Sequence, residues 1–559
     1  QDFALEVQEL LKLYAAHPQV TALDTLLKND TSRNIFLKGL NGSGPAMTIA
    51  SLFTKGRGSY VCVLNDQEEA GYFYHDLMQL TASNEVYFFP SAYRRAIKYG
   101  HVDPANEILR TEVLSRLQDP DASFVIVTYP DALAERVVAR EVLKENTLKI
   151  SVGEKLDNMF VSDVLDEYGF EQVDYVYEPG QYALRGSILD VFSFSNEFPY
   201  RIDFFGDEVE TIRTFDVETQ LSKEKLDSIY IVPEMSKNAK DSTSLLGSLP
   251  RNTCIAARDL AWCKERIGSV WNDDPVVADE ESFADIDQMR KKLVRGEDFL
   301  REVLDFRRIH FGARPMGTAD ATIHFSTQTQ PIYHKNFDRV SESFHKYLDE
   351  SYKLYILSDQ EKQANRIRMI FEDRGDNIPF TAVNRTIHEG FADDTLRICF
   401  FTDHQLFDRF HKFNLKSDKA RSGKITLSLK ELNQFSQGDY IVHIDHGVGQ
   451  FGGLVRTEVN GKMQEAIKLI YQNNDIIFVS IHSLHKLSKY KGKESGEPPK
   501  LSKLGTGAWE KMKERSKAKV KDIARDLILL YSKRKQETGF AYTPDSFMQH
   551  ELEASFIYE

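Results

Sequence analysis

This 559-residue chain has little that would staple it, anchor it or make it generally basic. Its four cysteines, Cys62, Cys254, Cys263 and Cys399, are scattered, mostly in apolar runs, and none has zinc-ligand spacing. A disulfide framework is thereby excluded, and a reduced, cytoplasmic protein is the simplest expectation. No apolar run reaches bilayer length and no signal peptide opens the chain, so no membrane role is expected. Basic residues are outnumbered, 71 Lys and Arg against 85 Asp and Glu, for a net charge of −14. A generic nucleic-acid binder carries a basic domain or stripe, and here only a local basic patch stays open. There are no internal repeats. The chain starts at Gln1 without a Met, which reads as a trimmed start.

Also missing is a working phosphate site. Gly39-Leu-Asn-Gly-Ser-Gly44-Pro45-Ala46 has the spacing of a P-loop, G-x-x-x-x-G-K-[ST]. The Lys that should reach the β/γ-phosphates is Pro45, and the hydroxyl that should hold Mg²⁺ is Ala46. No strand ends in a metal-holding acidic pair. Backbone amides at the helix start could hold an anion only weakly. The expectation is an inactive site at Gly39, Gly44, Pro45 and Ala46, no catalytic residue and no cofactor.

What is present is length for three to five domains. Residues 1–146 alternate helix and strand, which predicts a mostly parallel sheet covered by helices. The predicted strands are Asn34–Leu40, Tyr60–Leu64, Glu85–Phe89 and Phe124–Thr128. Residues 147–232 read as an inserted antiparallel unit. Residues 233–337 return to mixed α/β and should complete the first domain. Residues 338–410 form a small α/β unit, in which Asp403-His404 reads as turn and cap without a role. Residues 411–428 are a polar linker.

Residues 429–499 read as a small all-β barrel or curled sheet with a hairpin at Asn460-Gly461. Within it His443-x-Asp445-His446 invites a metal. No third or fourth ligand has recognisable spacing, so a turn is preferred and no metal is assigned. Residues 500–559 hold a loop and a long amphipathic helix, Ala508 to Gln536. Trp509, Met512, Val520, Ile523, Leu527, Leu530 and Tyr531 lie on its apolar face. Its Lys/Arg face is an ordinary solvated surface, with DNA contact as the alternative.

The stretch organising the chain is Glu178–Asp216. A Pro179-Gly180 turn opens it. One β-rich run follows, then a loop at Ser195-Asn196-Glu197, a run from Tyr200 to Gly206-Asp207, and a run from Val209 to Phe215. In the second of these, Ile202 and Phe204 face a core while Arg201, Asp203 and Phe205 face away. An exposed Phe beside an Arg is the chemistry of a protein-binding hot spot. The alternative is that Phe205 covers a neighbouring domain and Arg201 pairs with Asp203. Pattern alone favours that alternative.

This stretch also resembles the second domain of the bacterial transcription-repair coupling factor (Mfd) family and its relative UvrB. The shared elements are the Pro-Gly turn, Arg185-Gly186, Ile188-Leu-Asp-Val-Phe192, Arg201-Ile-Asp-Phe-Phe205 and Phe215-Asp216. The resemblance implies binding of the damage-recognition ATPase UvrA through Arg185, Arg201 and Phe205, and so reverses the preference from pattern alone. The degenerate P-loop and the run Gln330-Pro-Ile-Tyr333 to Asn336-Phe337 fit the same family. Val442-His443-x-Asp445-His446-Gly447-x-Gly449 is similar to CarD-like RNA-polymerase-interacting domains. Those imply pairing with the polymerase β subunit along Leu454, Val455, Arg456 and Thr457.

The resemblance covers the N-terminal portion of the family protein, ahead of its motor. It implies a non-enzymatic adaptor, most simply a monomer. ATP, Mg and DNA would be handled by a motor beyond the chain, and the UvrA face would be uncovered without the family's last domain. Two alternatives stand beside it: a nucleotide-dependent damage binder like UvrB, and a CarD-like regulator on an inert scaffold.

Overall fold

The computed structural model describes residues 6–29, 32–56, 58–81, 83, 85–92, 104–119, 121–174, 176, 178–217, 221–234, 242–272, 290–409, 411–413, 415, 432, 435–459, 462–490, 498–516, 519–520 and 530. The chain divides into two compact units, 1–426 and 427–559.

In the first unit, short Val/Ile-rich runs with no polar alternation form strands buried on both faces. Tyr60–Val63, Val125–Thr128 and Cys254–Ala257 are buried at every position. They belong to a seven-stranded sheet ordered 321–324, 34–38, 307–310, 254–257, 60–63, 125–128, 86–88. Each pairing in it is parallel. Helices Gly44–Thr54 and Gln67–Thr81 bury apolar residues against it.

The central strand Arg307–His310 gave no signal in the sequence. Two of its polar residues find partners within the fold, although Arg308 Nε is buried without a hydrogen-bond partner. His310 Nε2 meets Asn34 Oδ1 at 2.6 Å, and Arg308 donates to the carbonyls of Leu304 and Phe306, 3.0 Å each. Helix Gly296–Val303 leads into this strand. Two helices, Val7–Ala15 and Pro18–Lys28, precede the first strand.

Between Thr128 and Cys254 the chain builds an inserted unit. Its entry strand Leu148–Ser151 pairs antiparallel with its exit strand Ser228–Ile231, forming a neck. The sheet beyond is ordered 222–226, 208–215, 200–205, 188–192, 181–185, 171–172. The β-rich run after Gly180 is two strands rather than one. Gln181–Arg185 turns at Gly186-Ser187 into Ile188–Phe192. One face packs Leu189, Val191, Ile202, Phe204 and Ile212 against Val161 and Leu165 of helix Asn158–Glu167. At one end of the other face, Ala183 and Phe192 pack with Ile108 of helix Pro104–Arg116.

After His324 the chain crosses into a five-stranded sheet, ordered 327–329, 391–393, 398–402, 353–357, 381–383. Strands 327–329 and 391–393 and helix Phe337–Asp349 were not expected. The buried pair His17 Nε2–Asp393 Oδ2, 2.9 Å, ties this sheet to the N-terminal helices. Gln19 N–H donates to His17 Nδ1, so Nε2 carries the proton that meets the carboxylate.

The second unit holds a five-stranded antiparallel sheet ordered 476–480, 462–470, 447–459, 440–443, 487–489. The two connecting residues at the Asn460-Gly461 hairpin lie outside the described residues, as does the expected linker apart from 411–413 and 415. Of the expected helix Ala508–Gln536, residues 508–516 are described and helical. Most of the remainder lies outside. Among the described residues no helix is long and apolar enough to cross a membrane.

Candidate partner-binding faces

On the outward face of the inserted sheet, cross-strand partners put Ala183, Asp190, Arg201 and Arg213 in one row. Asp190 is fully buried in an otherwise apolar strand. An unpaired carboxylate there would be costly, and two guanidiniums answer it. Arg201 binds it in a fork, Nε to Oδ1 at 2.7 Å and Nη2 to Oδ2 at 2.8 Å. Arg185 donates to Oδ2 as well, and to the Asp174 carbonyl at 2.8 Å. The Arg201 guanidinium also lies 4.2 Å from the centre of the Phe215 ring. The hydrogen bond to Asp190 holds the Arg201 pKa above its ordinary value.

The alternative pairing of Arg201 with Asp203 is not what forms. Asp203 accepts from Arg213 and from Thr211 Oγ1. Arg185 and Arg201 are therefore immobilised with their planes set, which lowers the entropy lost on meeting a partner. Asp190 is the residue that sequence reasoning missed. Its signal was an Asp inside Ile-Leu-Asp-Val-Phe, where a lone acid demands a buried partner.

Phe205 closes the same strand and is 78% exposed. It does not cover a neighbouring domain within its unit. It sits one residue before the Gly206-Asp207 turn. That turn is held where Leu156 N–H donates to the Asp207 carbonyl at 2.7 Å. Asn158 Nδ2 donates to the Gly186 carbonyl at 3.2 Å, so the helix start lies beside both hairpin turns. Met159 and Phe160 there are 60% and 52% exposed. Exposed apolar groups of this size on one domain have the composition of an interface core.

The Gly39–Ala46 segment does have the strand, turn and helix order of a phosphate loop: strand Asn34–Lys38, turn, helix Gly44–Thr54. The space above the turn is filled by protein. Ser43 N–H donates to the Glu389 carbonyl and Glu389 N–H to Ser43 Oγ, 3.0 Å each. Gly42 has φ +53°, and a Cβ there would strike the Gly390 and Glu389 carbonyl oxygens. Behind it Asp76 accepts from Ser43 Oγ at 2.6 Å and from His388 N–H at 2.7 Å. Burial pushes the Asp76 carboxyl up to about 8 against those hydrogen bonds.

In the second unit, strand Gly447–Val459 has different neighbours along its length. Gly447–Gln450 pair with Tyr440–His443, and Leu454–Val459 pair with Lys462–Ile467 on the opposite edge. The register shifts between Phe451 and Leu454, which marks a bulge that re-aims the strand. No strand among the described residues lies on the 440–443 side of Leu454, Val455 or Thr457.

Asp445 and His446 lie in the turn that follows strand Tyr440–His443, as the sequence preferred. Asp445 N–H donates to His443 Nδ1 at 3.0 Å, and Asp445 faces Lys486 at 3.5 Å. Burial lowers the His443 pKa to about 3, with His446, Lys486 and Lys513 acting in the same direction. The segment after 500 docks on this turn. Trp509 Nε1 donates to the Ile444 carbonyl at 2.9 Å. Gly447, at φ +81°, leaves the room that the Trp509 ring and Ser502 take.

Comparison with known proteins finds two matching family models. Residues 148–236 match the UvrB interaction domain and residues 435–491 the CarD-like/TRCF RID domain. The first match spans the neck strands and everything between them. The chain is similar to the transcription-repair-coupling factor of Bacillus subtilis (strain 168), 25% identical over 602 residues, 94% of this chain and 50% of that protein. It is equally similar to that of Staphylococcus aureus (strain bovine RF122 / ET3-1), 25% over 626 residues, 97% and 53%. The chain spans about half the length of these curated relatives.

Proposed function

We propose that a chain carrying a UvrB interaction domain and a CarD-like domain, similar along nearly its whole length to transcription-repair-coupling factors, is the recruiting part of such a factor. Its inserted domain binds UvrA through Phe205, Arg185 and Arg201. Its CarD-like domain, a small Tudor-type barrel, adds a strand of the RNA polymerase β subunit along Leu454–Thr457. Backbone hydrogen bonding along the strand supplies that affinity. The protein acts in the cytoplasm as a monomer in transcription-coupled nucleotide excision repair. ATP-driven displacement of stalled polymerase on DNA belongs to the longer relatives' motor.

The observation carrying this reading is Phe205, 78% exposed at the end of a strand whose Arg201 is locked on a buried carboxylate, inside the segment that matches the UvrB interaction domain. The test is capture of purified UvrA and polymerase by this chain. Both should be retained, and the folded double variant Arg201→Ala, Phe205→Ala should lose UvrA alone. Unchanged UvrA affinity in that variant would sink the assignment.

We also read Gly39–Ala46 as the relic of a RecA-like nucleotide site. Pro45 and Ala46 replace its working groups, and Glu389-Gly390 occupies its mouth. ATP should therefore produce no thermal shift and no hydrolysis. Turnover that disappears on Gly44 substitution would restore the UvrB-like reading.

A further inference from the structure

The polar linker expected from residue 411 begins with residues that are docked. Phe413 and Leu415 are buried, and both belong to the core of the first sheet. Phe413 is seated on helix Gln67–Thr81. Gly71 lies inside that helix, where glycine weakens the backbone relative to alanine. A Cβ at Gly71 would overlap the outer edge of the Phe413 ring, so the glycine makes a notch that the ring fills. Tyr72, the next residue, sets its ring edge-on to Phe413 at 5.1 Å and donates from Oη to the His411 carbonyl at 2.7 Å.

We propose that residues 411–415 are a strap that docks on helix Gln67–Thr81 near neutral pH and lets go when the His388–His411 pair takes up a second proton. Release adds five residues, at most roughly 18 Å when extended, to the chain joining the two compact units. The strap thus regulates the reach between them.

His388 Nδ1 and His411 Nδ1 are 3.2 Å apart. A hydrogen bond there needs one N–H and one lone pair, so the pair holds one proton across the gap. Two imidazolium rings would set two N–H groups head to head and break the contact. The two sides are unequal. His388 is fixed: its N–H is held by Asp76 at 2.7 Å, its carbonyl accepts from His404 Nε2 at 2.8 Å, and its ring centre stands 3.4 Å from that of Tyr72. His411 belongs to the strap and lies against the His404 ring, centres 4.2 Å apart and planes 12° from parallel. The strap is therefore the side that moves.

Little around the pair absorbs the second charge. Helix Gln67–Thr81 presents Tyr72, His75 and Asp76. Burial pushes Asp76 up to about 8, so it carries little charge below that pH, and lowers His75 to about 4. Beyond strand Ile398–Thr402 stand His404, which burial also lowers, and Asp403, which Arg409 already binds. Glu389 Oε1 is 3.8 Å from His388 Nε2 and favours the first proton there. Lys412 adds positive charge on the strap itself. Ordinary imidazoles titrate near pH 6.5, which puts release between about pH 7.5 and 5.

The test places one nitroxide on the strap of the whole chain, through Lys412→Cys. The four native cysteines are buried and leave that thiol as the reactive one. At pH 7.5 the paramagnetic resonance spectrum should be mainly slow-moving, and at pH 5.0 the fast component should become the larger. A control label at exposed Glu372→Cys on helix Glu361–Asp373 should not change. In the strap-labelled chain His411→Asn, which keeps a hydrogen-bonding group and takes no proton, should stay slow at both pH values. Gly71→Ala should be fast at both while favouring the helix itself. A fast wild-type strap at pH 7.5, or a slow one in Gly71→Ala, overturns the docking. Equal wild-type spectra at the two pH values, a change shared by the Glu372 label, or an unaltered pH response in His411→Asn overturns the acid release.

Discussion

On the inserted domain the candidate chemistry is side chain, exposed Phe205 with the partly buried Arg185 and Arg201, whereas on strand Gly447–Val459 it is main chain. The first surface is set from below: buried Asp190 fixes both arginines, and the domain core fixes the strand. The second is set from one side only, by pairing of Leu454–Val459 with Lys462–Ile467. A side-chain surface should therefore fail when its supporting charge is removed or its anchor is cut back. A main-chain surface should tolerate truncation and fail when its edge is obstructed.

The largest effect is expected at Asp190. Asp190→Ala leaves two guanidiniums without their buried carboxylate and should destabilise the inserted domain by about 3–5 kcal/mol, read as a lowered urea midpoint together with loss of UvrA binding. Phe205→Ala sharpens the contrast. It should weaken UvrA by about 2 kcal/mol, roughly thirtyfold, while the urea midpoint stays within about 0.5 kcal/mol of wild type. An Asp190→Ala chain that unfolds normally would show that the clamp does not support the face.

On the other surface Thr457→Arg should weaken polymerase β capture about tenfold and leave UvrA capture alone. Val455→Ala should change it little, because the backbone makes the contact. Equal retention of the Thr457→Arg protein in a pull-down would discard the edge-strand reading.

The two units should also part company with pH. Asp76 in the first unit has a folded pKa of about 8, above the ordinary carboxylate value. Its folded form binds a proton that the unfolded chain releases near pH 4. Its contribution is full below about pH 4 and is lost as pH rises through about 8. His443 in the second unit is depressed to about 3, so the unfolded chain binds the extra proton. Its contribution is present above about pH 6.5 and is lost as pH falls through about 3.

Asp76→Asn should flatten the alkaline loss in the first unit. His443→Asn, which keeps an acceptor for Asp445 N–H, should flatten the acid loss in the second. Melting followed by probes in each unit from pH 4 to 9 checks both, and unaltered slopes in the variants would remove these two residues from the explanation.

Much of this was legible in the residues and some was not, for reasons that differ by place. Val/Ile runs such as Val125–Thr128 announce buried parallel strands because burial on both faces leaves no alternation. Arg307–His310 could not be read that way, since its partners for hydrogen bonding, Asn34 among them, lie far off in sequence. The alternation of Ile202 and Phe204 against Arg201 and Phe205 gave the outward face directly. The clamp under it needed the hairpin at Gly186-Ser187, which brings Arg185 back over Asp190.

The order of strands in the first sheet carries a consequence for synthesis on the ribosome. Asn34 pairs with Arg308 and Ile35 with Ala321, so a strand made early waits for neighbours about 270 residues later. At roughly 5–20 residues per second that is about 15–50 seconds with an apolar strand lacking both neighbours. The inserted domain, whose neck strands and core lie wholly within 148–231, emerges complete during that interval. A nascent chain stalled shortly before residue 300 should therefore present a finished partner-binding domain on an unfinished scaffold.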